Sequence, residues 1–136
     1  MNLDDVIQVW ITEKGHIMGW YFAPSLPQPR QNRNSRWGTS KTAEVCKRYN
    51  NWRAAFRDAL ALAMKAKGIE PLGKKSLIVR FKFTDDRIFF EVWENERGGK
   101  GHRSDLSNHV KAVEDVFNGV LWADDRWVDC IDAVRL

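Results

Sequence analysis

The stretch SLIVRFKFTDDRIFFEVWE (residues 76–94) decides the fold. Leu77, Val79, Phe81 and Phe83 alternate with Arg80 and Lys82, the two-residue period of a strand whose two faces differ. TDDR (84–87) supplies a turn, where aspartate is at home, and IFFEVWE (88–94) follows as a second β-branched and aromatic run. The reading is a β-hairpin.

Working outward, the segment before this hairpin predicts a helix over about 42–67. Trp52, Ala55, Phe56, Ala59, Leu60 and Ala63 recur at helical spacing and form one stripe, while Arg53, Arg57, Lys65 and Lys67 occupy other faces. Gly68 and then Pro71 stop it. Further upstream, APSLPQPRQNRNSRWGTSK (23–41) is a proline-rich and then basic arm without regular pairing. VIQVWI (6–11) and HIMGWYF (16–22), joined through Gly15, read as a second hairpin. Downstream, NERGGKGHRS (95–104) is a glycine-rich loop. A second helix is expected over about 106–118, with Val110, Val113 and Phe117 as its stripe and Gly119 at its end. RWVDCIDAVRL (126–136) reads as a closing strand. The order β-β-α-β-β-α-β predicts an α+β fold, a mixed sheet with two packed helices, in a single domain over residues 1–136.

Length and composition agree with that class. A chain of 136 residues that is 43% hydrophobic is expected to bury about two-thirds of its surface on folding. No apolar run approaches the ~20 residues of a membrane span, and the acidic N-terminus lacks the basic region of a signal peptide, so a soluble, intracellular protein is expected. Cys46 and Cys130 have no metal-ligand spacing and are too few for a disulfide framework.

Charge is distributed unevenly. Residues 27–70 hold ten bases and three acids, whereas 105–136 hold three bases and seven acids, within a net charge of +4. Two explanations stand side by side: the halves are intramolecular complements, or a polyanion-binding surface surrounds an acidic pocket.

Several chemistries are excluded. GIEPLGKKS (68–76) approximates a phosphate-binding loop, but its Ser76 stands one position late. The order is also helix–loop–strand, the reverse of what brings phosphate to a helix N-terminus. His16, His102 and His109 are scattered and give no zinc motif. The acidic tail survives. In RSDLSNHVKAVEDVFNGVLWADDRWVD (103–129), Asp105 opens the second helix and Asp124 and Asp125 follow its end. Each has an ordinary reading, Asp105 as a helix N-cap and the pair as a solvated turn.

This segment resembles the motif of the RusA family of Holliday junction resolvases, roughly Asp-x-Asp-Asn-x-x-Lys followed by Asp-Asp. Asp105 matches the first aspartate, Asn108 the asparagine, Lys111 the lysine, Asp115 a helical acid, and Asp124-Asp125 the paired acids. Weaker similarity covers PSLPQPRQNR (24–33) and RYNNWRAAFRDAL (48–60), and residues before about Ile17 look like an N-terminal addition. The resemblance implies that Asp105 and Asp125 hold Mg²⁺ (or Mn²⁺) and that Lys111 contributes to cleavage. The departure is Ser107, which stands where the family has its second aspartate. A hydroxyl can ligate Mg²⁺ but brings no charge, so Asp124 becomes a candidate to fill the place. Glu114 shares that helical face but lies about 10 Å along the axis from Ser107, too far to replace it.

On this reading the substrate is branched DNA, four-way junctions above all, and the two-fold symmetry of a junction implies a homodimer. The proposed phosphate contacts are Arg30, Arg33, Arg36, Lys41, Lys47, Arg48, Lys74, Lys75 and Arg103, with Trp37 as a candidate for stacking on a base. The resemblance places the protein in a bacterial cytoplasm, host- or prophage-encoded. Two other readings remain: a junction-binding protein that has lost cleavage through Ser107, and a basic RNA-binding module. The latter is disfavoured by the lack of aromatics at RNA-motif spacing.

Overall fold

The computed structural model describes residues 2–29, 40–72, 76–95 and 105–133. Two compact units follow one another along the chain, Met1–Gly99 and Lys100–Leu136.

The first unit is a four-stranded sheet with one long helix. Strands β1 (Ile7–Ile11), β2 (Ile17–Tyr21), β3 (Leu77–Phe83) and β4 (Ile88–Glu94) are arranged β1-β2-β4-β3, and helix α1 (Ser40–Lys67) lies between β2 and β3 in sequence. The α+β class is as expected, but the sheet is antiparallel in all three pairings rather than mixed. Both hairpins pair locally, and α1 then carries the chain so that β4 runs antiparallel to β2. Gly15 takes a φ of 81°, the left-handed conformation its tight turn needs.

Pairing fixes which side chains share a face. Ile7, Val9, Ile17, Tyr21, Ile88 and Phe90 are buried on one side of the sheet, where Ala59 and Ala63 of α1 meet them. Alanines at these positions let the helix axis approach closely, and the larger stripe residues wedge in beside them. Phe56 stacks on Tyr21 at 4.1 Å between centroids and lies 6.5 Å from Phe90. Burial raises the Tyr21 phenol above its ordinary range. The predicted stripe holds at Trp52, Phe56, Ala59, Leu60 and Ala63, whereas Ala55 is exposed. Gly68 ends the helix at a φ of 67°, and the Ile69 N–H returns to the Met64 carbonyl at 2.8 Å, with Ile69 itself buried.

Gly19 is required by packing. A methyl group there would overlap the Phe90 ring and sit 2.8 Å from the Gln8 carbonyl oxygen. At the other edge, Leu77, Val79, Phe81 and Phe83 do share one face, as their alternation predicts, yet they are 40–62% exposed. β3 and β1 are the two edge strands, and α1 packs over the β1 edge.

The second unit holds helix α2 (Leu106–Phe117) and a short 3-10 turn, Asp125–Trp127. The closing strand expected over 126–136 is absent from the described part, since 128–133 pair with nothing in a ladder. Val128, Cys130 and Asp132 alternate with Asp129, Ile131 and Ala133, so neither side is consistently apolar, and aspartate is a poor strand residue.

Candidate active site

Helix α2 begins at Asp105, whose extended backbone (φ −70°, ψ 141°) places it at the N-cap. Its carbonyl accepts from the N–H groups of Asn108 (3.1 Å) and His109 (3.3 Å). Its carboxylate makes no capping hydrogen bond. The ordinary explanation for an aspartate here therefore does not use the side chain, which is exposed together with Ser107, Asn108 and Lys111. Ser107 and Lys111 are one helical turn apart, and neighbours at that spacing have Cβ atoms about 5–6 Å apart. Val110, Val113 and Phe117 lie on another side and help line a groove of about 480 Å³ with Trp122, Val128 and Ile131.

The end of α2 is built to reverse the chain. The Phe117 carbonyl receives the N–H groups of Val120 (3.0 Å) and Leu121 (2.8 Å), while Gly119 adopts a φ of 79°. Trp122 then packs edge-on against Phe117, with ring centroids 5.3 Å apart, and its indole N–H donates to the Asn118 side-chain oxygen. The sequence reading did not single out Asn118 and Trp122, although an Asn–Trp pair four residues apart around a glycine was the available signal.

This reversal delivers Asp124 and Asp125, which take different roles. Asp124 caps the 3-10 turn: its Oδ1 accepts the Arg126 N–H at 3.0 Å and lies 3.8 Å from the Arg126 Nε. Asp125 is half-buried, and its carbonyl receives the Val128 N–H at 3.0 Å.

As donors, these carboxylates suit a divalent cation such as Mg²⁺, which prefers hard oxygen ligands. Among the described residues, however, no three His, Cys, Asp or Glu side chains form a group able to hold a metal. Asp105 precedes α2 and the acid pair follows it, and the helix's 12 residues span about 18 Å. The donor chemistry fits; a preassembled three-carboxylate cage is not present among the described residues. Mg²⁺ commonly uses one or two carboxylates and completes its shell with water and substrate phosphate.

The protein-family model for the endodeoxyribonuclease RusA matches residues 24–135. The chain belongs to the RusA family. Members of the RusA family are endodeoxyribonucleases that act on branched DNA in recombination and repair. Comparison with curated proteins and with solved structures returned no match. The RusA match begins at residue 24, beyond β2, so the β1-β2 hairpin lies outside it.

Of the proposed phosphate contacts, Lys47 and Arg48 are exposed on α1, and Lys41 falls in its first turn. Arg30, Arg33, Arg36, Lys74, Lys75 and Arg103, and also Trp37, lie outside the described residues. Asp85 and Asp86 occupy the β3-β4 turn as expected, with the Thr84 hydroxyl donating to Asp86 at 2.9 Å. Among the described residues no helix is long and apolar enough to cross a membrane.

Proposed function

We propose that this chain nicks four-way DNA junctions, with Asp105 and Asp125 as the divalent-cation ligands and Lys111 as the electrostatic stabiliser. One observation carries the reading: Asp105 heads α2 with its carboxylate unused for capping, while the motif partners Ser107 and Lys111 follow on exposed positions of the same helix. A bound Mg²⁺, or Mn²⁺ in its place, would neutralise phosphate charge and lower the pKa of a coordinated water.

The chain's own residues do the rest. The Lys111 ammonium meets negative charge that builds on the phosphate as the bond breaks, an interaction worth most where it is stronger in the transition state. Asp124 keeps the 3-10 turn in shape, so that Asp125 is presented from a fixed backbone. Lys41, Lys47, Arg48 and the basic residues outside the described segments hold the phosphodiester backbone that the acids alone would repel. Two symmetric cuts need two copies, so the active form is a homodimer, working in the cytoplasm of a bacterium or prophage host.

A second reading has its own support. Ser107 removes a carboxylate from the motif, and the described residues contain no three-acid group. On that reading the protein binds junctions without cutting them. Incubation of a synthetic four-way junction with and without Mg²⁺, resolved on a denaturing gel, separates the two. Mg²⁺-dependent paired nicks are expected. Retarded junctions that stay intact at every Mg²⁺ and Mn²⁺ concentration would overturn cleavage in favour of binding.

A further inference from the structure

The sheet has a second face, opposite α1, and the register shows what it carries. Trp20 of β2 stands beside Phe89 of β4, which stands beside Lys82 of β3. In the next row Trp10, Met18, Glu91 and Arg80 are aligned across all four strands. Trp93 follows on the same face, with the His16 ring stacked on it at 4.7 Å and 7° between planes. Trp10, Trp20 and Trp93 are each half-buried, so their rings still meet solvent.

Cations cover these rings. The Arg80 guanidinium sits 5.6 Å from the Trp93 centroid, Lys82 Nζ 5.4 Å from Phe89, and Arg87 5.7 Å from Trp20. The acids nearby are already matched: Glu91 lies 2.7 Å from His16 Nδ1 and 3.5 Å from Arg80, and Asp86 pairs with Arg87 at 3.2 Å. Lys82 has no acid among these pairs. The unit as a whole is basic, with seventeen bases against eleven acids over residues 1–99. Beyond Trp93 the face ends in a cleft of about 600 Å³, lined by Lys14, His16, Ile78, Glu94 and Asn95, a volume in the range of small-ligand sites.

We propose that this face is a stacking platform for unpaired bases of single-stranded DNA. Aromatic rings interleaved with cations are the combination that binds single strands without sequence readout: each base has a π face, and each phosphate a charge. Base-on-ring stacking is the stronger of the two contacts at an exposed site, so a base displaces the cation from the ring and the released cation meets the adjoining phosphate. The hairpin that supplies Trp10, Met18, Trp20 and His16 lies outside the family match, whereas Arg80, Lys82, Phe89 and Trp93 lie within it. The platform uses none of the α2 residues and is independent of whether they cut.

The test is titration of the full chain with a thymidine oligonucleotide in EDTA, followed by tryptophan fluorescence and anisotropy. Saturable quenching is expected, with affinity well above that for a duplex of equal length. Trp20→Leu or Trp93→Leu should weaken binding by about five- to a hundredfold. Should either fail to fold by circular dichroism, the exposed pair Arg80→Gln with Lys82→Gln carries the test. That double variant should bind several-fold more weakly and lower the slope of log affinity against log salt by about 1.4. Equal affinity for duplex and single strand, tighter binding of a uridine RNA, or unchanged binding by the double variant would each overturn the platform. Junction nicking by the same variants is read separately: nicking without oligonucleotide binding leaves the nuclease standing, and the converse leaves the platform.

Discussion

The two units of this chain differ in what holds them and in what they carry. Ten hydrophobic side chains are buried between Ile7 and Phe90, and among the described residues of the second unit none is. The proposed catalytic residues nevertheless all fall in the second unit, on exposed or half-buried positions. The buried core and the proposed chemistry therefore fall in different units. Groups that must meet metal and phosphate cannot be enclosed, and here they stand apart in sequence from the residues that form the core.

That separation can be attacked directly. The largest effect belongs to Asp105→Asn and Asp125→Asn, which should each reduce junction nicking to background. Thermal unfolding should change little, since surface substitutions usually stay within about 0.5 kcal/mol. Asn is as good an N-cap residue as Asp, so the helix start is preserved, and retained nicking would remove Asp105 from the metal-ligand assignment. Lys111→Ala should slow nicking at saturating DNA by ~10²-fold. A change confined to affinity would instead make Lys111 a backbone contact.

Gly19→Ala tests the opposite side of the comparison. Its methyl meets Phe90 and the Gln8 carbonyl in the sheet, and overpacking of this kind costs about 1–3 kcal/mol. A lower urea midpoint with an unaltered nicking rate per folded molecule is expected; lost catalysis in fully folded protein would show the units to be coupled. Ser107→Asp should lower the Mg²⁺ concentration for half-maximal nicking and stabilise α2 by ~0.3–1 kcal/mol through the helix dipole. A flat or worsened titration would indicate that Asp124 already fills that place.

The smallest effect is a pH dependence. Hydrogen bonds from Arg87 and then Thr84 hold the Asp86 carboxyl below its ordinary range, so the folded state favours the ionised form. Its contribution is present above the ordinary aspartate pKa and disappears as pH falls through the lowered one. Asp86→Asn should therefore unfold slightly earlier at neutral pH and match the parent in strong acid.

The sequence revealed most where a single period governed a whole segment. Trp52, Phe56, Ala59 and Ala63 declared α1, and the alternation from Leu77 to Phe83 declared β3. It misled where burial depends on position in the sheet. Nothing in Leu77 or Phe83 says that α1 packs over the opposite edge of the sheet, because strand order is a non-local property. The tail after Asp125 carried β-branched residues but no consistent face, and propensity alone predicted a strand where the described residues form none. Asp105 was legible as a motif residue, while the absence of its capping bond required coordinates. The opposite face of the sheet escaped notice for a similar reason. Trp10, Trp20 and Trp93 are far apart in sequence and meet only through the pairing of β1, β2 and β4.

That pairing also sets an order of events in time. β2 finds β1 across a short turn, but its other neighbour, β4, begins at Ile88. Local hairpins close in microseconds, and distant strand pairs are slower because a long loop must be ordered first. At a synthesis speed of about 5–20 residues per second, roughly 4–15 s pass between emergence of β2 and emergence of β4. Through that interval the newborn hairpin has the β2 edge that β4 will occupy still open, and Ile17 and Tyr21 uncovered. The nascent chain thus presents an unpaired strand edge well before its partner is made, and shielding that edge on the ribosome should govern how much protein reaches the folded state.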